Sequence, residues 1–450
     1  MKDNIKTYLL FAAVFLLIVI TGFIQSWNSA LFILNMGLIS AVMSLGVNLQ
    51  WGIAGLLNVG IMGFVGLGGL ATVLISMQPV PEAWNAGGPR ILAGLLFGVL
   101  TITLSVWVYK KIKNARWRFF SILIFLVCSF FVYKSILTPG VVAVEAVNPA
   151  ATGYLGGLGL PVLLAWPVGG LMAAGAAWII GKTALGLRSD YLAIATLGIS
   201  EIIIAILRNE DWMTRGVKNV AGIPRPVPYE IDLQASENFV NRAASFGLDP
   251  TTASTLFVKI AYAGLFGLVL LVLVWLSQRA LNSPWGRMMR AIRDNETAAQ
   301  AMGKDIKSRH LQIFILGSAV CGIAGAMMTT LDAQLTPGAY QPLRFTFLIW
   351  VMVIVGGSGS NLGSILGGFL VWFLWVQVEP IGYWLVDLIT APMDPESPVR
   401  LHLLDSVAQM RLLTMGLFLL LMLRFYPRGM IPEKNIFITS FASIFKSGIF

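Results

Sequence analysis

The chain of 450 residues carries 31 basic and 21 acidic side chains, a net charge of +10, yet only 12% of its residues are charged and 57% are hydrophobic. A water-soluble domain uses roughly 25% charged residues to cover its surface, so with a mean hydropathy of +0.80 this chain must turn its outer surface to lipid. The excess positive charge sits in a few short loops, the pattern of a membrane protein orienting itself and not of a nucleic-acid binder.

A membrane-crossing helix needs about 20 mostly apolar residues. That length predicts an all-α polytopic bundle of about twelve spans: 7–25, 31–50, 55–77, 91–109, 118–136, 159–181, 190–207, 256–279, 310–331, 344–357, 361–378 and 408–425. Lys2 and Lys6 precede the first run as in a signal peptide. The run is too long for that, and Ser26-Trp27-Asn28-Ser29-Ala30 makes a poor cleavage site, so a retained first helix is expected. The next spans enclose polar Asn48, Gln50 and Asn58, candidates for a solute path. Span 91–109 ends on a compact basic loop of Lys110, Lys111, Lys113, Arg116 and Arg118.

Gly181-Lys182-Thr183 lacks the upstream glycine of a phosphate-binding loop, Ala176 standing there, and follows a membrane helix instead of a strand. Any ATP-driven motor must then be a separate subunit. Glu201 interrupts an apolar run; a charge in hydrocarbon costs at least about 2.5 kcal/mol. It belongs either beside a solute route or gate, or in a structural ion pair or a hydrogen bond near the span end. The segment 208–255 mixes Arg208, Arg215 and Lys218 with Glu210, Asp211, Glu230, Asp232 and Glu237, and offers Trp212 and prolines to a protein partner or serves as a linker.

The stretch 280–310 is the most informative. Ser283-Pro284 reads as an N-cap with proline at the first helical position. Arg287, Arg290 and Arg293, three apart, share a helical face, while Met288, Met289 and Ile292 can pack inward. Asn295 can cap a second short helix, Glu296 lies at its positive end, and Gly303 can close it in a left-handed turn. Such a polar helix suits docking into a partner's groove or contact with anionic headgroups.

Toward the end, Gly359, Gly363 and Gly367 recur every four residues, which permits close helix approach and an interrupted span near Gly356-Gly357. Asn58-Val59-Gly60 and Asn361-Leu362-Gly363 hint at an internal repeat, and Asn361 joins the path candidates. Segment 379–405 is mostly acidic, with Glu379, Asp387, Asp394, Glu396 and Asp405, whereas the tail carries Arg424, Arg428, Lys434 and Lys446. Span parity puts all the basic loops on one side with both termini, which are therefore expected in the cytoplasm. Trp27, Trp84, Trp212 and Trp384 fit an interfacial belt. Two cysteines in apolar runs, Cys128 and Cys321, and two scattered histidines, His310 and His402, leave no basis for a disulfide framework, a metal site or a catalytic cluster.

Glu296-x-Ala298-Ala299-x-x-x-Gly303 resembles the loop by which ABC-importer permeases engage their ATPases. Its flanks, Gly286-Arg287 and Arg290-Ala291-Ile292-Arg293, resemble the branched-chain amino acid permease family of LivM type. So do Asn48-Leu49-Gln50-Trp51-Gly52, Gly55 through Gly60, Leu187 through Gly198, Gly222-Ile223-Pro224-Arg225-Pro226 and Gly356 through Ser360. The resemblance implies a single permease domain in a bacterial inner membrane, with no cofactor and no catalysis of its own. It implies two ABC ATPase subunits, a second related permease and a periplasmic amino-acid-binding protein as partners. Arg287, Arg290, Arg293, Glu296, Ala299 and Gly303 would couple to the ATPases, and the cargo would be branched-chain amino acids. Urea, short amides or another small solute on the same architecture, or an ion-coupled secondary transporter, are the alternatives. Shorter family members lack much of 80–158, which therefore reads as an insertion with an extra helical hairpin, and Ile61-Met62 departs from many relatives.

Overall fold

The structure is a computed structural model that describes residues 2–394 and 396–433; Lys434 and Lys446 of the basic tail lie outside the described residues. In chain order the helices are α1 (Lys2–Ile24), α2 (Trp27–Val47), α3 (Ile61–Ser76), α4 (Pro81–Lys111), α5 (Ala115–Glu145), α6 (Ala165–Ala184) and α7 (Ser189–Asn209). There follow the short α8 (Asp211–Thr214), α9 (Glu230–Ala235) and α10 (Glu237–Ser245), then α11 (Pro250–Asn282), α12 (Pro284–Asp294), α13 (Glu296–Ala301) and α14 (Ile306–Asp332). The last are α15 (Pro342–Gly356), α16 (Asn361–Thr390), α17 (Pro398–Ser406) and α18 (Met410–Phe425). Two residue pairs form the one sheet among the described residues, β1 (Val220–Ala221) antiparallel to β2 (Gln334–Leu335).

Each of the twelve predicted spans lands on a helix, but the count needs correcting. Ten stretches are long and apolar enough to cross a membrane; the other two, Ile61–Ser76 and Pro342–Gly356, are shorter apolar helices. The physical reason is the same at both: a non-helical break adjoins the helix, at 55–60 before α3 and at 357–360 after α15.

Burial sorts the helices. From Asn35 to Val47, α2 is buried all round, as only a helix at the centre of a bundle can be. It is ringed by α11, α14, α15 and α16, and α3 and α6 pack on α14. Small residues set the spacing there: a Cβ on Gly169 would meet Gly68 Cα at 3.1 Å and one on Gly170 would meet Ile323 at 2.9 Å. With no hydrophobic drive between helices in lipid, such close backbone approach supplies the packing. Gly363, Gly367 and Gly368 do the same for α16 against α15 and α2. By contrast α1, α4, α5, α11 and α18 turn large apolar side chains such as Phe23, Leu96, Phe131, Leu271 and Leu420 outward, the surface expected against acyl chains. The chain is a multi-pass membrane protein.

The predicted belt residues lie at or near helix ends: Trp27 begins α2, Trp84 lies in the first turn of α4, Trp212 is in α8 just beyond α7, and Trp384 is six residues from the end of α16. The α9–α10 segment continues into α11 under an Asp249 cap, whose carboxylate accepts from Thr251 N at 3.1 Å and from the Thr251 hydroxyl.

Candidate functional site

Where α2 should end, the chain winds into a π-helical segment, Asn48–Ile53, then runs without regular structure from Gly55 to Gly60. Wider π turns frequently mark functional positions, and here the π segment buries two polar side chains, Asn48 and Gln50, in the bundle. Asn48 and Gln50 are fully buried, Asn58 is 1% exposed and Asn361 is 8% exposed. In such surroundings each unpaired polar atom would cost about 1–3 kcal/mol, and each of these side chains is bonded. Asn48 Nδ2 donates to Asn361 Oδ1 at 3.1 Å, while Gly359 N donates to Asn48 Oδ1 at 2.8 Å. Asn58 Nδ2 donates to Gln50 Oε1 at 2.8 Å, and Gln50 Nε2 donates to Phe314 O and Ser318 Oγ, both at 2.9 Å. Gly60 N and Trp350 Nε1 donate to the side chain and backbone oxygens of Asn58 at 2.9 and 3.1 Å.

Thus the break after α2 and the break before α16 touch and are laced together, although 300 residues separate them. Gly52 is what lets them meet. A Cβ there would run into Gly359 N and Asn48 Oδ1, and a side chain in that place would force the two breaks apart.

Glu201 stands elsewhere. It is exposed on α7 and forms no hydrogen bond or ion pair among the described residues. The ion-pair reading of this residue therefore finds no partner within the described chain. The opposite face of α7 is tied to the first break, Thr196 Oγ1 accepting from Val59 N at 3.1 Å. One residue before Glu201, the hydroxyl of Ser200 is buried against Gly63 with no hydrogen-bond partner among the described residues.

The 280–310 stretch forms the two short helices that its punctuation predicts. Asn295 Oδ1 accepts from Ala298 N at 3.0 Å to cap α13, and Gly303 takes φ +76° just past its end. Ser283 occupies the N-cap position of α12 but its hydroxyl donates backward to Ala280 O at 2.6 Å. Met289 and Ile292 are buried as expected, and Ala299 packs with Ile292 and Ile306, pinning α13 to its neighbours. Glu296 and Gly303 are exposed, with Met302 beside them 79% exposed.

The three arginines divide. Arg287 is exposed and, among the described residues, reaches only Asn282 O at 3.5 Å. Arg290 donates to Leu281 O at 2.7 Å and lies 3.9 Å from Glu433. Arg293 bridges Glu433 Oε2 at 2.9 Å and donates to the carbonyl oxygen of Gly52, inside the π segment. Arg293 thus fastens α12 to the interrupted region, while Arg290 ties it to the end of α11 and to Glu433. Sequence reading passed over Glu433, although it is the only acid after Asp405 in a basic tail. Glu433 and Arg290 line a cavity of about 500 Å³ with Ile53 and Asn361. Among the described residues no group of three or more His, Cys, Asp or Glu side chains could hold a metal ion.

The described residues form a membrane bundle whose two helix breaks meet a pair of short polar helices at one end. The chain matches the family model of the permease component of branched-chain amino acid transport systems over residues 140–423 and belongs to that family. It is 31% identical over 240 residues to the high-affinity branched-chain amino acid transport system permease protein LivM of Escherichia coli, covering 51% of this chain and 54% of that one. The chain therefore spans about half the length of that relative. A probable LivM protein of Methanocaldococcus jannaschii is 27% identical over 297 residues, 64% of this chain and 73% of its own. A probable LivH permease protein from the same organism is 28% identical over 115 residues, 26% and 35% of the two chains. No solved structure matches.

Proposed function

We propose that the chain is the membrane-spanning permease subunit of an ABC importer for branched-chain amino acids. It sits as one permease domain in a bacterial inner membrane with both termini in the cytoplasm, 80–158 being an added hairpin. Two separate ATPase subunits, a second permease and a periplasmic amino-acid-binding protein complete the machine. The similarity to both LivM and LivH proteins supports a pair of related permeases.

The observation that carries this reading is the direct bond from Arg293 in α12 to Gly52 in the π segment that follows α2. Exposed Glu296 and Met302 present α13 to an ATPase. Closure of the ATPases pushes α12 and α13, and Arg293 passes the displacement to Gly52. The Asn48–Gly359 and Asn48–Asn361 bonds carry it on to the break before α16. Packed helices respond to such a push by switching between discrete arrangements, here outward-open and inward-open. In this scheme Arg290, Arg293 and Ala299 hold the coupling pair to the bundle, and Arg287, Glu296 and Gly303 shape its exposed side. Asn48, Gln50, Asn58 and Asn361 brace the path. Glu201, a carboxylate on the outside of a span, faces the second permease or the route between the two, since lipid would exclude it.

The test is charge reversal at Glu296 and Gly303→Val, assayed in the complete transporter. Leucine uptake and binding-protein-stimulated ATPase activity fall together while membrane insertion survives. Intact ATP-dependent uptake would overturn the coupling assignment. Leucine uptake that survives deletion of this chain would instead overturn the cargo.

A further inference from the structure

The α4–α5 hairpin takes no part in the site above. Its two helices pack chiefly on each other, and α5 meets α8 at one end. There Ala83, Ile91 and Val144 cluster with Leu155, and Val80 N donates to Leu155 O at 3.1 Å. In that half the helices are in close contact: a Cβ on Gly87 would run into Gly140 O, and one on Gly94 would lie 2.9 Å from Leu137.

In the free half the fit is looser, a Cβ on Gly98 lying 3.3 Å from Tyr133. A cavity of about 840 Å³ opens along it, lined by Leu95, Gly98, Ile102, Leu126, Phe130 and Tyr133. A second, of about 490 Å³, continues from Leu126 to Tyr109 and Arg118 at the tip. From Gly98 to Lys110 the helix rises roughly 18 Å at 1.5 Å per residue, close to the thickness of one leaflet, half of a hydrocarbon core of about 30 Å. At the tip stand Lys110, Lys111, Lys113, Arg116 and Arg118 with no acid among them. None of the five forms an ion pair among the described residues. Lys111 lies over the Trp107 ring and Arg118 over Tyr109, both 4.4 Å from the ring centroid, and Trp117 is 70% exposed. Aromatic rings at that depth belong at the headgroup level.

We propose that the hairpin holds an anionic phospholipid, its headgroup on the basic tip and an acyl chain along the groove past Leu126 and Gly98. Charge complementarity selects this occupant over another apolar helix: a basic cluster at the headgroup level draws anionic lipid, and a neutral helix gains nothing from five unpaired cations.

Native mass spectrometry of the purified chain, with phosphatidylglycerol and phosphatidylcholine of identical acyl chains, tests it. The wild-type protein retains phosphatidylglycerol at least tenfold in preference. Replacing Lys110, Lys111, Lys113, Arg116 and Arg118 with glutamine removes that preference while thermal stability in detergent is unchanged. Gly98→Phe, which fills the groove, lowers lipid retention with the tip charges intact. A preference that survives the glutamine variant places the lipid on another basic loop and overturns the proposal. Undiminished retention by Gly98→Phe, or a dimer in place of a lipid adduct, overturns the seating in the groove.

Discussion

Arg293 has three attachments, to Glu433, Asp294 and the Gly52 carbonyl, and its side chain is 23% exposed. Hydrogen bonds involving a charged group contribute about 1.5–3 kcal/mol. Arg293→Ala and Glu433→Ala should each lower stability in detergent by about 1–3 kcal/mol, with a coupling energy of about 0.5–3 kcal/mol in the double-mutant cycle. Under the proposed coupling, both should depress uptake more than ATP hydrolysis, because they would loosen the proposed link between motor and path. Additive effects would show that the two side chains act independently. The arginine face was legible from spacing alone. Its division into one exposed and two fastened members was not, because Glu433 and Gly52 are distant in sequence and nothing local announces their meeting. Glu201 shows the opposite case. Its oddity in an apolar run was plain, and the structure adds that no partner within the described residues relieves it.

At the scale of elements, punctuation decided most of what could be read. Asn295 and Gly303 bound α13 where the sequence places them, because caps and left-handed turns are local devices. A break in a membrane helix is harder to foresee. The freed backbone groups must be satisfied by neighbours, and those neighbours, Thr196 and Trp350, come from other helices. Asp249 gives an element-scale prediction. Hydrogen bonds from the Thr251 hydroxyl and from Thr252 N, which outweigh its desolvation, hold its carboxyl below the ordinary value of 3.8. A depressed acid stabilises the fold above its unfolded pKa and loses that contribution as pH falls through the folded value. The difference in melting temperature between wild type and Asp249→Ala should therefore be constant above about pH 5 and shrink on acidification below 3.8. A difference that grows in acid would contradict the cap.

For the whole molecule the governing quantity is which loops share a side. In the proposed topology, in which the two short helices also cross, parity puts the tip at 112–114 and the α12–α13 pair in the cytoplasm, and α9–α10 opposite. In a Cys128→Ser background, Lys113→Cys and Arg287→Cys should react with an impermeant thiol reagent only in inside-out vesicles, and Glu237→Cys only in intact cells or right-side-out vesicles. Labelling of Lys113→Cys from outside would reverse the hairpin and with it the leaflet of its lipid. Native Cys321 is fully buried and stays silent.

By itself the sequence determined the membrane setting, the helical class, the rough place of every span and the short polar helices after α11, since hydropathy, charge bias and capping all act within a few residues. Only the tertiary structure decided that two of the twelve spans are short, that Asn48, Gln50, Asn58 and Asn361 form one buried bonded network, and that α12 is fastened to the break it is proposed to move. Those contacts join positions hundreds of residues apart. Their energy comes from satisfying polar backbone where lipid offers no water, a requirement of the assembled bundle that no local stretch of sequence displays.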